Sequence, residues 1–520
     1  MKYCLIQLGC QMNISDGERI RTVLEQMGFE RTEQEGEADL LGIVACSVRQ
    51  KAIDKVYSRI AKWNSWKNNR NLLTFVSGCI LPADRERFLG LFDLMFAIND
   101  LPQLPDMIRQ YGVVTPFSLR GSDEEFQVDV SQVNRSHGGS ERQEAHVDGD
   151  ETTESGHRKA DGGLDGGSSS KVGATLSSES LRSAKPKRRF AVMPQKPAED
   201  RSTEYWKIRP SYTSGFEAFV PIQNGCDKFC TFCAVPHTRG REVSRPSSEI
   251  LAEVRFLVEH DYKAITLLGQ NVNSYGLDRK GTELSFADLL RAVGEIGRET
   301  GKEFWTYFTS PHPRDMTDEV IDTIAEYPVL AKQIHLPIQS GDDKVLIRMN
   351  RNHSVVRYRH IVEKIRKTIP SATIFTDIIV GFSGETEEQF ENTRAAMREF
   401  GYNMAYVAMY SPRPGAASSR WPDDVPQETK KERLQILSDE LKTYSYRYNR
   451  ALIGRTLRVL VEKPDKKPGF LSGKTEGRIT IRFAGDDASL IGRFVDVRIT
   501  DCAALSLEGE LVRTPEPITV

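Results

Sequence analysis

Six strand-like runs follow one another after residue 216, FVPIQ, AITLLG, FWTYFTS, QIHLPIQ, TIFTDIIVGF and AYVAMYS, separated by amphipathic stretches such as SSEILAEVRFLVEH and EEQFENTRAAMREF. Strands that alternate with helices over short connections run parallel, because a helical crossover returns the chain to the edge where the next strand starts. Eight such units close a barrel of the TIM type, so six leave it open on one side. The run NGCDKFCTFCAVPHTRGREVSRP comes directly after the first strand. Cys226, Cys230 and Cys233 therefore fall at the carboxyl end of the barrel, the face on which such barrels carry their chemistry.

The C-x3-C-x2-C spacing suits a 4Fe–4S cube: three thiolates leave one iron open to bind a small molecule. A structural zinc ion wants four closed ligands; His237 could complete such a set, which keeps zinc as the minor reading. Phe229 and Phe232 lie in the same loop, placed either to shield a ligand or to pack in the core. The other strands deliver polar loops to the same rim: GQN at 269–271, SPHP at 310–313, QSG at 339–341, GFSGET at 381–386 and SPRPG at 411–415. Glycine lets backbone amides come close to a ligand, and Gln, Asn, Ser and Arg can hold a carboxylate or a ribose. Arg239, Arg241 and Arg245 follow the triad, either to hold an anion or as ion-paired side chains.

Ahead of the barrel, strands YCLIQLG, LLGIVAC and LLTFVSGC alternate with helices DGERIRTVLEQMGF and RQKAIDKVYSRIAKW, which again predicts a parallel α/β layer. Cys10, Cys46 and Cys79 stand at or just past the ends of these strands, along one sheet edge where they can converge. Cys4 reads as an inward-facing strand residue and Cys502 as a strand-end thiol. Residues 120–204 are rich in Gly, Ser, Asp, Glu and His, with the basic cluster KPKRR at 185–189; such composition is expected to stay disordered. After a helix over 427–450, the runs TLRVLVEK, FLSGKTEG, RITIRF, GRFVDVRIT and ELVRT predict a small β-barrel. Between residues 455 and 482 it carries eight basic residues against three acidic ones, a candidate phosphate-binding face.

A net charge of −2 over 520 residues makes any basic surface local, and the length suggests three or so domains. No apolar run approaches the roughly 18 residues of a membrane span, and MKYCLIQLGCQMN lacks the basic start of a signal peptide. A cytoplasmic protein is expected. Eight cysteines are too few for a disulfide scaffold of this size and read as ligands or buried thiols.

In the order GCQMN, ACSVRQKA, SGC, the triad motif, LLGQN, LPIQSG, GF-x-GET and the terminal β run, the chain resembles the radical S-adenosylmethionine (SAM) methylthiotransferases, the 120–204 segment excepted. The resemblance implies four segments: 1–119 as an N-terminal methylthiotransferase domain, 120–204 as an insertion, 205–450 as an open (βα)6 partial TIM barrel, and 451–520 as a TRAM-like β-barrel. It further implies two 4Fe–4S clusters, a SAM-binding one on Cys226, Cys230 and Cys233 and an auxiliary one on Cys10, Cys46 and Cys79. SAM is expected to lie against Phe232, Gln270, Asn271, Ser310, Gln339, Ser340, Asp377, Gly381 and Arg413. The contexts CSVRQKA, HTRGREVSRP and TSPHP favour the branch that adds a methylthio group to carbon 2 of N(6)-dimethylallyladenosine beside the tRNA anticodon. The branches that act on threonylcarbamoyladenosine or on a ribosomal-protein aspartate are the alternatives. GFSGET departs from the family pattern, which usually has proline before the second glycine.

On this resemblance one SAM methylates the sulfur carried by the auxiliary cluster, and another supplies the radical that takes hydrogen from the adenine. Because carbon 2 lies on the minor-groove edge, the adenosine has to sit in a loop, as in an anticodon stem-loop. An electron donor such as flavodoxin or ferredoxin, sulfur and iron-sulfur delivery proteins, and a monomeric state are the remaining expectations. A non-catalytic iron-sulfur RNA-binding protein is the reading from another class.

Overall fold

The computed structural model describes residues 1–47, 50–111 and 204–512. The expected insertion, with its basic cluster at 185–189, lies outside the described residues apart from Glu204.

The first sheet is built from β1 (Lys2–Leu8), α1 (Gln11–Gln26), β2 (Glu30–Arg31), β3 (Leu40–Cys46), α2 (Gln50–Trp66), β4 (Leu73–Cys79), α3 (Pro82–Leu89), β5 (Leu94–Met95) and α4 (Leu104–Gln110). Its strands are all parallel, in the order β2-β1-β3-β4-β5. The central strand β3, LLGIVAC, is buried along its whole length because helices cover both faces. Ile20, Val23 and Leu24 of α1 pack on Leu40, Val44 and Phe75, whereas Ile53, Val56 and Ile60 of α2 pack on Cys4, Ile43 and Val76 on the other side. Helix α1 starts at Gln11, five residues before the expected DGERI run. Cys10 and Asn13 form a reciprocal cap that recruits the extra turn.

The second unit runs β6 (Glu217–Pro221), β7 (Gln223–Asn224), α5 (Val235–Arg239), β8 (Val243–Ser244), α6 (Ser247–Glu259), β9 (Ala264–Leu268), α7 (Phe286–Thr300), β10 (Trp305–Phe308), α8 (Asp318–Glu326), β11 (Gln333–His335), α9 (Asp343–Arg348), α10 (Val355–Thr368), β12 (Thr373–Val380), α11 (Glu387–Phe400), β13 (Met404–Met409) and α12 (Gln427–Arg450). Strands β6, β9 and β10 pair in parallel, as do β11, β12 and β13. The two halves meet where Thr306 donates to the Val329 carbonyl (2.7 Å) and accepts from the Ala331 amide (3.0 Å). Strands β6 and β13 are left as margins, so the barrel is open. Its core is aliphatic, centred on residues such as Val220, Ile265, Leu267, Ile334, Ile374 and Ile378.

The last strands, β14 (Thr456–Pro464), β15 (Phe470–Thr475), β16 (Thr480–Ala484), β17 (Phe494–Cys502) and β18 (Ser506–Leu511), close a barrel in the order β14-β15-β16-β18-β17. Strand β18 starts at Ser506 rather than in the expected ELVRT. Gly509 is an inner position of this strand, where a β-carbon would stand 2.6 Å from the Arg498 carbonyl.

This small barrel covers the amino ends of the partial-barrel strands. Trp305 and Tyr307 form an apolar floor with Leu460, Phe216 and Phe494. Arg478 lies over the Tyr307 ring and donates to Thr266 Oγ1 at 3.0 Å, and Thr373 Oγ1 donates to the Gly477 carbonyl at 2.9 Å. The carboxyl ends, which carry the cysteine triad, are left to α1 and the rim loops.

Candidate active site

Cys10, Cys46 and Cys79 lie at the carboxyl ends of three adjacent parallel strands. Cys46 and Cys79 are partners in the β3–β4 register. Gly9 brings β1 so close that a β-carbon there would stand 3.0 Å from Cys46 Cβ. Cys10 caps α1, so its sulfur sits at the amino end of a 16-residue helix, where it meets Asn13 Oδ1 at 3.3 Å. The hydrogen bond between Cys46 and Cys79, together with burial, raises the Cys79 thiol well above its ordinary value. Against this pull stands Arg239, whose Nε donates to Cys79 Sγ at 3.0 Å.

The second set hangs on a loop whose neck is the two-residue β7–β8 ladder, Gln223 with Ser244 and Asn224 with Val243. Gly225 starts the loop at φ +81 and Cys226 N donates to the Gly240 carbonyl at 3.2 Å, so the triad is held at both ends. Burial pushes the Cys226 thiol up to about 11 and the Cys233 thiol up to about 12. The surroundings are cationic. Arg351 Nη1 stands 3.5 Å from Cys230 Sγ, and Lys228 is buried in an ion pair with Asp315 at 2.6 Å. His312 and His353, close by, are both held below the ordinary histidine value, first by burial and then by Arg351, His353 reaching about 4; they add no charge near neutral pH.

Three thiols on one short loop, two of them buried and one with the Arg351 guanidinium against its sulfur, form a donor set that fits an iron-sulfur cube. Among the described residues no three His, Cys, Asp or Glu side chains come close enough to hold a single metal ion. A cube holds its thiolates at separate corners and places no such demand. His237 is exposed and lies beside Gly415. Cys4 is packed under α2 and Cys502 ends β17.

The rim residues divide into two kinds. Gln270 accepts the Gly225 amide at 2.5 Å, tying its loop to the triad loop. Asn271 is buried, donates to Asp315 at 3.1 Å and leaves its Oδ1 without a partner. Ser310 and Gln339 hold φ of +59 and +72, unusual for residues with a β-carbon. Asp377 Oδ2 stands 3.0 Å from His335 Nε2. Arg413 is half-buried on its loop. Phe232 packs with Val345, Met349, Phe382 and Tyr410. Ser340 and Gly381, by contrast, serve packing: the Ser340 hydroxyl meets Thr393 of α11 at 3.2 Å, and a β-carbon on Gly381 would stand 2.3 Å from the Lys430 side chain.

Of the three arginines after the triad, Arg239 is buried with Asp16, Arg245 is buried with Glu253, and Arg241 is exposed beside Asp227. Sequence reasoning missed Asp16, Asn13, Lys228, Asp315 and Arg351. The signal for the first two was spacing: Asn13 and Asp16 follow Cys10 at intervals of three, one face of a helix, once the helix is known to start at Gln11.

A partial barrel with a thiol triad at its carboxyl rim defines a class. Residues 220–397 match the Radical SAM superfamily, residues 2–97 the uncharacterized protein family UPF0004, and residues 450–512 the TRAM domain. The chain is a radical SAM enzyme, a class whose members use SAM and a 4Fe–4S cluster. The tRNA-2-methylthio-N(6)-dimethylallyladenosine synthase of Actinobacillus succinogenes is 35% identical over 517 residues, covering 98% of this chain and 92% of that protein. The synthase of the same name from Pseudomonas aeruginosa is 36% identical over 512 residues, 97% of each chain. The chain belongs to the family of these synthases.

Proposed function

We propose that the chain transfers a methylthio group to carbon 2 of N(6)-dimethylallyladenosine beside the anticodon of tRNA, using two 4Fe–4S clusters and SAM. The observation that carries this reading is the pair of thiol sets, each at the carboxyl edge of a parallel sheet and each with a buried arginine against one sulfur. Cys226, Cys230 and Cys233 would hold the SAM-binding cluster, and Cys10, Cys46 and Cys79 the auxiliary one. When bound, these groups supply a radical able to take hydrogen from the adenine and the sulfur that replaces it.

The chain's own part is to hold, orient and exclude. Lys228 and Asp315 fix the triad loop, and the Asn271 Oδ1 acceptor suits the ammonium of SAM. Gln270, Ser310, Gln339, Asp377 and Arg413 line the rim where its ribose and carboxylate would rest. Phe232 and its apolar neighbours keep water from the loop behind the triad. The segments 1–119, 205–450 and 451–520 act as the sulfur-bearing, radical and RNA-gripping domains. A flavodoxin or ferredoxin supplies electrons, delivery proteins restore sulfur, and the enzyme works as a cytoplasmic monomer. No helix among the described residues is long and apolar enough to cross a membrane.

Two measurements test this. Anaerobic reconstitution is expected to load about eight irons on the full chain and about four on each triple cysteine-to-alanine variant. Nucleoside mass analysis of tRNA from cells lacking the chain is expected to show loss of the methylthio group from dimethylallyladenosine. Loss from threonylcarbamoyladenosine instead would reassign the substrate.

A further inference from the structure

Arg239 follows the Cys226, Cys230 and Cys233 triad in the chain and contacts a sulfur of the other thiol set directly. Its guanidinium is buried and every nitrogen is used: Nε on Cys79 Sγ at 3.0 Å, Nη2 on Asp16 Oδ2 at 2.5 Å, and Nη1 on Asp16 Oδ1 at 3.4 Å and Asn224 Oδ1 at 3.3 Å. Asp16 is itself buried on α1, and Asn224 is two residues before the first cysteine of the triad. The contact thus runs from the radical unit, through one rigid planar fork, to a sulfur on the edge of the first sheet. Asp16 grips the fork from one side and leaves Nε pointing at the sulfur, a geometry that a flexible ammonium cannot reproduce.

We infer that Arg239 is a positioning residue that orients the Cys79 sulfur and sets the reduction potential of the group bound by Cys10, Cys46 and Cys79. The inference rests on the proposed second cluster. A one-electron reduction adds negative charge to that group and its sulfurs, and a hydrogen bond from a buried cation stabilises the more negative state, so Arg239 holds the potential up. Because the same guanidinium touches Asn224 and Asp16, a shift of the triad loop relative to α1 would move the donor off the sulfur. The two sites are joined by a contact that responds to their relative position.

The test uses the full chain carrying Cys226→Ala, Cys230→Ala and Cys233→Ala, reconstituted anaerobically, with iron counted and the midpoint potential read by dithionite titration, in which dithionite is oxidised and the cluster takes one electron. Arg239→Gln is expected to shift the reduction equilibrium about tenfold against the reduced state, ~59 mV more negative for a one-electron couple. Arg239→Lys keeps the charge beside Asp16 and so guards the fold, but cannot serve carboxylate and sulfur together; a smaller shift in the same direction is expected. Unchanged potentials in both variants would overturn the inference, and so would loss of iron from Arg239→Lys with native circular dichroism, which would make the arginine a requirement for assembly only. A parent that binds no iron at all would instead sink the second cluster itself.

Discussion

Gly225 shows how little freedom the triad loop has. At φ +81 a β-carbon would stand 1.9 Å from the Arg241 carbonyl, so Gly225→Ala has to pry open the neck between β7 and β8. The expected result is destabilisation of about 1–3 kcal/mol, typical of strain at a special backbone position, with loss of the triad's iron while the other set keeps its own. Urea unfolding and iron counting check both. Glu242, across the same neck, is a buried carboxyl whose burial, helped by Asp227 and Asp278, pushes it up to about 7. A carboxyl raised in the folded state contributes stability below its unfolded value near 4.5, and that contribution is lost as pH rises through 7. Glu242→Gln removes the titration. In iron-free protein the fall in unfolding free energy between pH 5 and pH 8 is expected to shrink by as much as ~3 kcal/mol, at 1.36 kcal/mol per unit. A pH dependence equal to the parent's would show that the carboxyl is ionised in the folded chain. The place of the triad loop after the first barrel strand was legible from the strand order; the burial of Glu242 and Arg239 was not, because nothing in a run of charged residues says which one is buried.

Helix α1 shows what the sequence leaves open at the next scale. Its apolar residues announce a face for the sheet, but Ser15, Glu18 and Arg21 on the other face are buried as well. They form the joint to the partial barrel: Glu18 accepts the Thr213 amide at 2.9 Å, and Ser15 Oγ donates to the Phe219 carbonyl at 3.3 Å. A polar helix face normally means solvent, and only the distant segment that pairs with it says otherwise. The GFSGET loop is the converse case. Gly384 at φ +72 and the reciprocal cap of α11 by Thr386 and Gln389 were readable as a turn entering a helix. Ser383 is buried with a hydroxyl that has no partner. A buried hydroxyl left unpaired costs about 1–3 kcal/mol, so Ser383→Ala is expected to stabilise the chain despite shortening the side chain. A rise in the urea midpoint with an unchanged slope would show it, and a fall would mean that the hydroxyl is paired after all.

At the scale of the whole molecule, the parallel order of both sheets and the closed terminal barrel were legible because strand–helix alternation and closely spaced β runs each admit few topologies. How the terminal barrel meets the rest was not, since the joint consists of side chains far apart in sequence, such as Arg478 on Tyr307. That joint changes what the basic stretch can do. Arg478 is spent on the floor of the partial barrel, Arg458 on Glu303 and Asp496, and Arg482 on Glu508. Arg455 and Lys463 stand exposed, and a phosphate backbone can reach them. The two groups predict different losses. Lys463→Ala is expected to weaken anticodon stem-loop binding and to make the plot of log K against log salt shallower by about 0.7–0.9, the release of one counterion, with the melting point unchanged. Arg478→Ala is expected to lower the melting point by loosening the small barrel from Tyr307 and Thr266 and to leave the salt slope as it is. If the slope falls with Arg478→Ala and not with Lys463→Ala, the RNA lies across the open side of the partial barrel instead of along the outer face of the small one.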